Sequence, residues 1–315
     1  MLAPGMLALG IMAKAGPAAA ADPYVAVTAI VEHMNLDAVR DGVRDRLAEA
    51  GLSAGQNLRF EYYSAGADPA RAAEIARAVV ASGPDVIVAI STPSAAAAGA
   101  ATNVIPIVFA AVEDPLVAGL VAKSRANVTG LSHGMPLVEH LALIREILPL
   151  ARKIGVTYGS ANKRAASALR ELTAAAPEYG FEIVAAPVGD ENEIASAMRG
   201  MVGAVDAVLL LDDDDVAAAA LDAVVDIAGQ AALPVFATDP DMVAGGAVAS
   251  VVLNYYDLGR QAGELVLRIL DGEPPARIPV RRARATGLIV NPESAARMGI
   301  GLPASIIARA NSIIQ

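Results

Sequence analysis

The stretch Asp85–Ile90 reads DVIVAI, and the polar turn Ser91–Ala95, which reads STPSA, follows it directly. A continuous apolar run of this length is typical of a strand that is buried on both faces of a parallel sheet. The alanine-rich segment after the turn predicts a helix that begins where the strand ends. We therefore interpret Asp85–Ile90 as a buried strand of an α/β unit.

The residues before this strand alternate between short β-branched runs and longer helical patterns. Strands are predicted at Tyr24–Ile30 and Leu58–Tyr63, and helices at Leu36–Ala50 and Pro69–Ser82. Gly51 suits the position after a helix end, and Pro69 suits a first helical turn. The order strand, helix, strand, helix, strand predicts a parallel sheet with helices on both faces.

A second series of the same kind begins at Arg152. It comprises strands at Arg152–Tyr158, Phe181–Pro187 and Asp206–Leu211, and helices at Ala165–Tyr179 and Glu191–Val202. Both series end alike, with a buried strand, a polar turn, an alanine helix, a strand beside a proline, and an Asp-Pro loop at Asp114-Pro115 or Asp239-Pro240. Such self-similarity indicates two lobes of similar structure.

The fold class predicted from this pattern is α/β, with two similar lobes and a parallel sheet in each. If the lobes face each other, the loops after their strands line one ligand cleft between them. We predict that lobe one comprises 23–130 and 256–274, and that lobe two comprises 131–255 and 275–315. The last part of the chain supplies a strand at Val251–Asn254 and a helix at Tyr256–Leu270. Several chain crossings between the lobes are therefore expected.

The composition excludes several classes of protein. The chain has 315 residues, with 24 basic and 34 acidic side chains, and its net charge of −10 disfavours nucleic acid as a partner. Its mean hydropathy is +0.48. The longest uncharged stretch, Val86–Val112, is nevertheless broken by proline and polar residues, so no membrane-spanning helix is predicted. The absence of cysteine excludes disulfides, thiolate zinc sites and a cysteine nucleophile.

Residues 1–21 resemble a secretory signal peptide. An apolar stretch at Met6–Met12 is followed by small residues that end Ala19-Ala20-Ala21 before Asp22, as at an A-x-A cleavage site. Lys14 lies after the apolar stretch, which departs from the usual order of such signals. We expect an exported, periplasmic protein, and without a cysteine to carry lipid we expect it to lack a lipid anchor.

Ligands of parallel α/β sheets bind beyond the carboxyl ends of the strands, which points to the loops that follow each strand. In lobe one the turn Ser91–Ser94 offers hydroxyls and unpaired backbone N–H groups at a helix N-terminus, an arrangement that attracts a carboxylate. Helix capping by Ser91 or Ser94 is the alternative explanation. The candidate ligand-binding residues of this lobe are His33, Ser91, Thr92, Pro93, Ser94 and Asp114.

In lobe two the matching turn is Asp212–Asp215, with four adjacent acids. One or two of them suit helix capping, and the surplus negative charge suits an ammonium group or a metal ion. The spacing departs from that of a calcium-binding loop, so no metal and no cofactor is predicted. Together the two turns fit a zwitterion such as an amino acid. The candidate ligand-binding residues of this lobe and its crossing are Tyr158, Asp213, Asp214, Asp239 and Tyr256.

The remaining motifs do not predict an enzyme. The string G-x-S-x-G occurs at Gly51–Gly55 and at Gly130–Gly134, but a nucleophile elbow needs a strand before the serine and a helix directly after it. We interpret Gly130–Gly134, which contains His133, as a glycine-rich crossover loop. His140 lies on a helix predicted at 138–148 and is expected at the surface. No P-loop or dinucleotide-binding motif is present, and no catalytic residue is predicted.

Seven segments occur in an order that matches a known family. They are Val31–His33, ISTPSAAAA at 90–98, IPIVFAAVEDP at 105–115, NVTGLS at 127–132, the acidic turn, PVFATDPD at 234–241 and YYDLGRQAGELVLRILDGEPP at 255–275. Over 23–300 the chain resembles the ABC-transporter substrate-binding family of the tryptophan/tyrosine type. The resemblance implies a periplasmic-binding-protein fold of the first type, in which two Rossmann-like lobes joined by three crossovers close on a ligand held in the cleft between them. It also implies a membrane permease as partner.

Two departures from the family bear on the ligand. Members commonly have Thr-Asp-Asn-Thr at the acidic turn, so Asp213 matches the family's acid and Asp214 replaces an amide. After His33 the family commonly has Pro-Ala, where this chain has Met34-Asn35. The extra carboxylate would favour a ligand more cationic than tryptophan or a different small molecule.

The leading hypothesis is a monomeric solute-binding protein of an ABC importer that binds a small zwitterion, such as an aromatic amino acid. Ser91, Thr92 and Ser94 would hold the carboxylate, Asp213 and Asp239 the amine, and His33, Tyr158 and Tyr256 the side group. An α/β enzyme that uses the cleft carboxylates, and a receptor domain that senses a ligand, are the alternatives. A repressor-type regulator is disfavoured, because 1–22 holds one lysine and cannot form a basic DNA-binding unit.

Overall fold

The structure is a computed structural model that describes residues 21–116, 118–121, 126–159, 162–189, 191–211 and 220–314. The predicted acidic turn Asp212–Asp215 and all but the last residue of the predicted signal peptide lie outside the described residues.

The described strands and helices follow the α/β alternation that the sequence predicts. The strands are β1 (Tyr24–Ala29), β2 (Arg59–Ser64), β3 (Val86–Ile90), β4 (Ile107–Val112), β5 (Val128–Ser132), β6 (Lys153–Gly159), β7 (Glu182–Val188), β8 (Ala207–Leu210), β9 (Val235–Ala237), β10 (Ala249–Val252), β11 (Arg281–Arg282), β12 (Gly287–Val290) and β13 (Ser312–Ile313). The helices are α1 (Met34–Glu49), α2 (Pro69–Ser82), α3 (Thr92–Ala101), α4 (Leu137–Ile147), α5 (Lys163–Ala175), α6 (Glu191–Met201), α7 (Leu221–Ala231), α8 (Pro240–Ala244), α9 (Tyr255–Leu270), α10 (Pro292–Arg297) and α11 (Ala304–Arg309).

The first sheet has parallel strands in the order β11-β5-β4-β3-β1-β2. Strands β1, β3 and β4 are buried along their whole length, as continuous apolar runs in a parallel sheet require. Val79 of α2 and Ala95 of α3 pack in the core on one face of this sheet. Val39 of α1 and Leu265 of α9 pack in the core on the other face. Helices therefore cover both faces, and this sheet with its helices forms the first lobe.

The second lobe contains two smaller sheets. One has parallel strands in the order β7-β6-β8-β9, and the other has the order β10-β12-β13, with β12 antiparallel to β10. Their buried side chains form one apolar core, which is distinct from the two cores of the first sheet. Leu172 of α5, Met198 of α6 and Val224 of α7 belong to that core. The prediction of two α/β units with parallel sheets is confirmed.

The described residues cross between the two lobes at three places: between β5 and α4, between β10 and α9, and between β11 and β12. The pairing of Arg281 with Leu131 and of Arg282 with Ser132 places β11 on the edge of the first sheet. The prediction assigns 275–315 as a whole to lobe two, so it differs from the structure at this strand. The reason is that two arginines show no apolar alternation that would signal a strand.

Helix α9 follows a crossover and packs closely on α1 of the first lobe. A Cβ atom on Gly42 would lie 2.1 Å from the carbonyl oxygen of Tyr256, and one on Gly259 would lie 2.1 Å from that of Val39. The absence of side chains at these glycines allows the two backbones to touch. Ion pairs join Arg46 to Glu264 at 2.7 Å and Arg260 to Glu49 at 2.7 Å beside this contact.

The surface position predicted for His140 is wrong. Its side chain is fully buried, with Nδ1 2.7 Å from the carbonyl oxygen of Pro136 and Nε2 2.9 Å from that of Ala237. The periodicity of α4 explains the burial, because His140 lies on the same face as Leu137, Leu141 and Ile144. Burial lowers the pKa of His140 to about 4, so the ring is neutral at ordinary pH.

No helix in the described part of the chain has the length and hydropathy that a membrane span needs.

Candidate functional site

The loops after β1, β3 and β4 lie side by side at the carboxyl edge of the first sheet. His33 begins α1 after β1, Ser91 directly follows β3, and Asp114 lies in the loop after β4. Because these three strands are parallel neighbours, their carboxyl ends meet at the same edge. Three of the predicted site loops are therefore brought together by the sheet.

Ser91 has a strained backbone at the centre of this edge. Its φ of 82° and ψ of 156° lie in a region that residues other than glycine rarely occupy. The backbone N–H of Ser91 donates to the carbonyl oxygen of Ala110 at 2.9 Å, which holds the turn against β4. Strain of this kind costs about 1–3 kcal/mol and is concentrated at functional sites.

The N-terminus of α3 has uncapped donors. Ser91 occupies the capping position, but its side chain makes no capping hydrogen bond, so the alternative of simple capping by Ser91 is not realised. The amides of Thr92 and Ser94 belong to the first turn and have no acceptor within the helix. Thr92 and Pro93 are exposed, whereas the hydroxyls of Ser91 and Ser94 are buried and have no hydrogen-bond partner among the described residues. The helix end can therefore accept an anion that reaches the first turn from solvent.

His33 and Asp114 are exposed and stabilise their own loops. Nδ1 of His33 accepts a hydrogen bond from the backbone N–H of Asn35 at 3.3 Å, at the capping position of α1. Oδ1 of Asp114 accepts from the backbone N–H of Leu116 at 2.9 Å. These bonds occupy one acceptor of each side chain and fix both groups at the edge of the first sheet.

The second lobe presents a matching edge. Tyr158 lies near the end of β6, where it is half-buried and packs against the core, and Asp239 follows β9. Oδ1 of Asp239 accepts from the backbone N–H of Asp241 at 2.6 Å and so caps α8. Strand β8 lies between β6 and β9 and leads to the acidic turn, whose Asp213 and Asp214 lie outside the described residues.

Tyr256 lies away from both edges. Its hydroxyl donates to Oδ2 of Asp45 at 3.0 Å, in the contact between α9 and α1. The neighbouring Tyr255 instead lies beside His133, with 6.4 Å between the ring centroids. These two rings come from two of the crossovers between the lobes, because His133 directly follows β5 and Tyr255 begins α9.

Sequence reasoning places His133 in a loop but assigns it no role. Its backbone N–H donates to the carbonyl oxygen of Val112 at 2.9 Å, which ties the first crossover to the end of β4. Burial lowers the pKa of His133, and the nearby charge of Glu113 opposes this shift. The imidazole Nδ1 is buried and has no hydrogen-bond partner among the described residues. The sequence GLSHG of this loop is the signal that could have drawn attention to His133.

Ion pairs link the two edges directly. Arg164, at the start of α5 in the second lobe, lies 3.1 Å from Glu113, which directly follows β4 in the first lobe. Arg282 of β11 pairs with Glu171 of α5. The carboxyl edges of the two sheets therefore face each other. The space between them is where the sequence predicts a ligand cleft. No group of three or more histidine, aspartate or glutamate side chains in the described part of the chain could hold a metal ion.

A known family matches most of the chain. A model of the family described as ABC transporter substrate binding protein matches residues 24–314. A curated relative is the tyrosine-binding protein of Clostridioides difficile strain R20291, which is 32% identical over 273 residues that cover 86% of this chain and 79% of the relative.

Two solved structures are similar to this chain at nearly the same level of identity. The ligand-free, open structure of a substrate binding protein with adhesive properties from Clostridium difficile is 31% identical, covers 93% of this chain and 99% of its own, and has a TM-score of 0.76. An ABC domain in complex with L-Trp from Streptococcus pneumonia is 30% identical, covers 93% and 100%, and has a TM-score of 0.54.

These likenesses confirm the resemblance that the sequence motifs indicate and the two-lobed fold of a periplasmic binding protein. Substrate-binding proteins bind small-molecule ligands such as amino acids and work with ABC permeases. They are not enzymes, as the sequence predicts for this chain. The chain, through residues 24–314, belongs to the ABC transporter substrate binding protein family.

Proposed function

We propose that this protein is the solute-binding component of an ABC importer and that its two lobes close on a small zwitterion, an amino acid with an aromatic side group. The observation that carries the proposal is the N-terminus of α3. Its first-turn amides are not capped by the Ser91 side chain, and the buried hydroxyls of Ser91 and Ser94 have no hydrogen-bond partner within the part of the chain that the structure describes. Such a helix end favours a carboxylate through its N–H groups and its dipole.

The opposite edge supplies the negative charge that an amine needs. Asp239 lies at this edge, and the acidic turn with Asp213 and Asp214 follows the neighbouring strand in sequence. A ligand whose carboxylate lies on α3 and whose amine faces these acids would interact with both lobes at once. Asp114 is proposed as a rim residue of the same cleft, with His33 and Tyr158 at the side group.

The similarity to other proteins supports an aromatic amino acid and a closing motion. The curated relative at 32% identity is a tyrosine-binding protein, and a structure at 30% identity holds L-Trp. The TM-score is higher against the ligand-free, open structure, at 0.76, than against the L-Trp complex, at 0.54. A difference of this size at nearly equal identity is what two arrangements of the same lobes produce, so we assign this structure to the open state.

We also propose that the protein is exported to the periplasm, that 1–21 is removed on export, and that the monomer delivers its ligand to a membrane permease. Cell fractionation and N-terminal sequencing test the export. The expected mature protein begins at Asp22 and is released with the periplasmic fraction. A protein that keeps Met1 and stays in the cytoplasm would contradict it.

Isothermal titration calorimetry tests the binding function. L-Tyrosine or L-tryptophan is expected to bind saturably, and tyramine, which lacks the carboxylate, to bind about tenfold or more weakly, because a charged hydrogen-bonding group is lost. Replacing Ser94→Ala should weaken amino-acid binding, whereas Thr173→Ala on α5, whose hydroxyl donates to Leu169, is the control. Absence of binding for every amino acid, or binding that ignores the carboxylate, would overturn the proposal.

A further inference from the structure

Helix α5 of the second lobe presents one charged face to the first lobe. Arg164, Ser167, Ala168 and Glu171 recur at helical spacing, and all four line a solvent-open cavity of about 130 Å³ that Glu113 and Arg282 of the first lobe also line. Gly134 and Met135 of the first crossover line the same cavity. This face of α5 therefore lies against the first lobe beside the connection between the lobes.

Two ion pairs with opposite polarity join this face to the first lobe. Arg164 pairs with Glu113, and the two side chains are both 56% exposed. Glu171 pairs with both terminal nitrogens of Arg282, and Nη2 lies 3.1 Å from Oε2. The second pair is less exposed, at 35% and 41%, and its bidentate geometry fixes the direction of both side chains.

The order of the charges favours one register of α5 against the first lobe. Along α5 a positive charge at Arg164 is followed by a negative charge at Glu171, and the first lobe offers Glu113 and Arg282 in the complementary order. A displacement of α5 by one helical turn would separate both pairs. The two contacts therefore act together as an attachment point, although each exposed pair is weak by itself.

We propose that the ion pairs Glu113–Arg164 and Glu171–Arg282 form a pivot that limits how far the two lobes open. Because α5 begins at the loop after β6, the pivot also positions the ligand-facing edge of the second lobe. The part of the inference that concerns ligand affinity rests on the function proposed above. Both pairs are already formed in the arrangement that we assign to the open state, so they disfavour wider openings. Excluding those wider arrangements lowers the free energy that the ligand must supply for closure.

The opening itself is measured without ligand by pulsed electron–electron double resonance. The chain has no cysteine, so Ala78→Cys on α2 and Gln230→Cys on α7, both exposed, give one spin label in each lobe. The labelled protein with Glu171→Gln and Arg282→Gln is expected to show a longer and broader distance distribution. Charge exchange by Glu171→Arg with Arg282→Glu should restore the original distribution in part.

The chain offers a matched control. Arg268 and Glu273 form a bidentate pair within the first lobe. Their exposures of 42% and 34% are close to the 41% and 35% of Arg282 and Glu171. Replacing both with glutamine should leave the distance distribution unchanged. An unchanged distance distribution after loss of the Glu171–Arg282 pair would overturn the proposal. So would a longer and broader distribution after loss of the Arg268–Glu273 pair.

Calorimetry with L-tyrosine then measures the coupling to binding. Loss of one cross-lobe pair is expected to weaken binding about two- to fivefold, the range that an exposed ion pair contributes. Equal or tighter binding by the variant would show that the pair does not favour closure. If the unaltered protein does not bind L-tyrosine or any other amino acid, the proposed function fails, while the ligand-free distances still decide whether the pivot exists.

Discussion

The backbone N–H of Val251 donates a hydrogen bond to Nε2 of the buried His140 at 3.0 Å. We assign the ring proton to Nδ1, which lies 2.7 Å from the carbonyl oxygen of Pro136, so that the neutral ring donates on one side and accepts on the other. His140 thereby joins α4 to β10, and its Nε2 also lies 2.9 Å from the carbonyl oxygen of Ala237 at the end of β9.

Acidification is expected to destabilise the protein through this side chain. The unfolded imidazole takes up a proton near pH 6.5, whereas burial lowers the pKa of the folded state to about 4. The contribution is thus fully present above pH 6.5 and is lost as the pH falls towards 4, by roughly 3 kcal/mol in total. Urea unfolding at a series of pH values measures it. The expected result is a steep loss of the free energy of unfolding over that interval.

A direct titration isolates His140 in that experiment, because His133, whose pKa burial also lowers, changes the stability in the same direction. Titration of the His140 ring resonances by NMR gives its pKa in the unaltered protein, without a variant that could fail to fold. A pKa for His140 at or above 6.5 would contradict the prediction.

Contact between α1 and α9 depends on the absence of a side chain at Gly259. A Cβ at this position would lie 2.1 Å from the carbonyl oxygen of Val39, so Gly259→Ala forces the helices apart. The expected loss in the free energy of unfolding is about 3 kcal/mol or more, at the upper end for overpacking because the obstacle is backbone. Denaturant unfolding measures the loss.

Gly200 is the matched control for that substitution. It also lies within a helix, α6, but a Cβ there would meet no atom of the neighbouring described residues within 4 Å. Gly200→Ala is expected to stabilise the protein by about 1 kcal/mol, because alanine has the higher helix propensity. If both alanine variants changed stability equally, the close approach of α1 and α9 would not be the cause.

Much of the fold follows from local signals in the sequence. Helix α2 begins at Pro69 and ends at Ser82 in the prediction and in the structure alike. Asp68 caps its first turn, proline fits there because its missing N–H is not needed, and Gly83 adopts the left-handed conformation that ends the helix. The buried strand at Val86–Ile90 is equally clear, because parallel strands carry continuous apolar runs.

The site is only partly predictable, because its remaining features join distant parts of the chain. The loops at His33, Ser91 and Asp114 follow from the order of the strands. The contacts between Glu113 and Arg164 and between Tyr255 and His133 do not, since nothing near either residue in sequence specifies its partner. The strained backbone of Ser91 was likewise hidden, because a serine after a strand usually signals an ordinary cap.

Tyr256 provides a test of which tyrosine faces the ligand. Its hydroxyl donates to Asp45 on α1, outside the loops at the two edges. We expect Tyr256→Phe to lower the free energy of unfolding by about 1 kcal/mol or less and to leave L-tyrosine binding within the error of calorimetry. Tyr255→Ala, which removes the ring beside His133, is expected to weaken binding. If Tyr256→Phe lost affinity for L-tyrosine and Tyr255→Ala did not, Tyr256 would be the tyrosine that faces the ligand.

The backbone strain at Ser91 predicts that two variants at this position differ in stability, whereas the loss of its hydroxyl predicts that both bind the ligand more weakly. Glycine adopts a φ of 82° and a ψ of 156° without steric conflict, whereas alanine keeps the conflict, and neither carries a hydroxyl. Ser91→Gly is therefore expected to be more stable than Ser91→Ala by about 1 kcal/mol or more, measured by denaturant unfolding. Both variants should bind L-tyrosine more weakly than the unaltered protein if the hydroxyl serves the ligand. Equal stability of the two variants would mean that the backbone at Ser91 relaxes at little cost, and full affinity in both would remove its hydroxyl from the site.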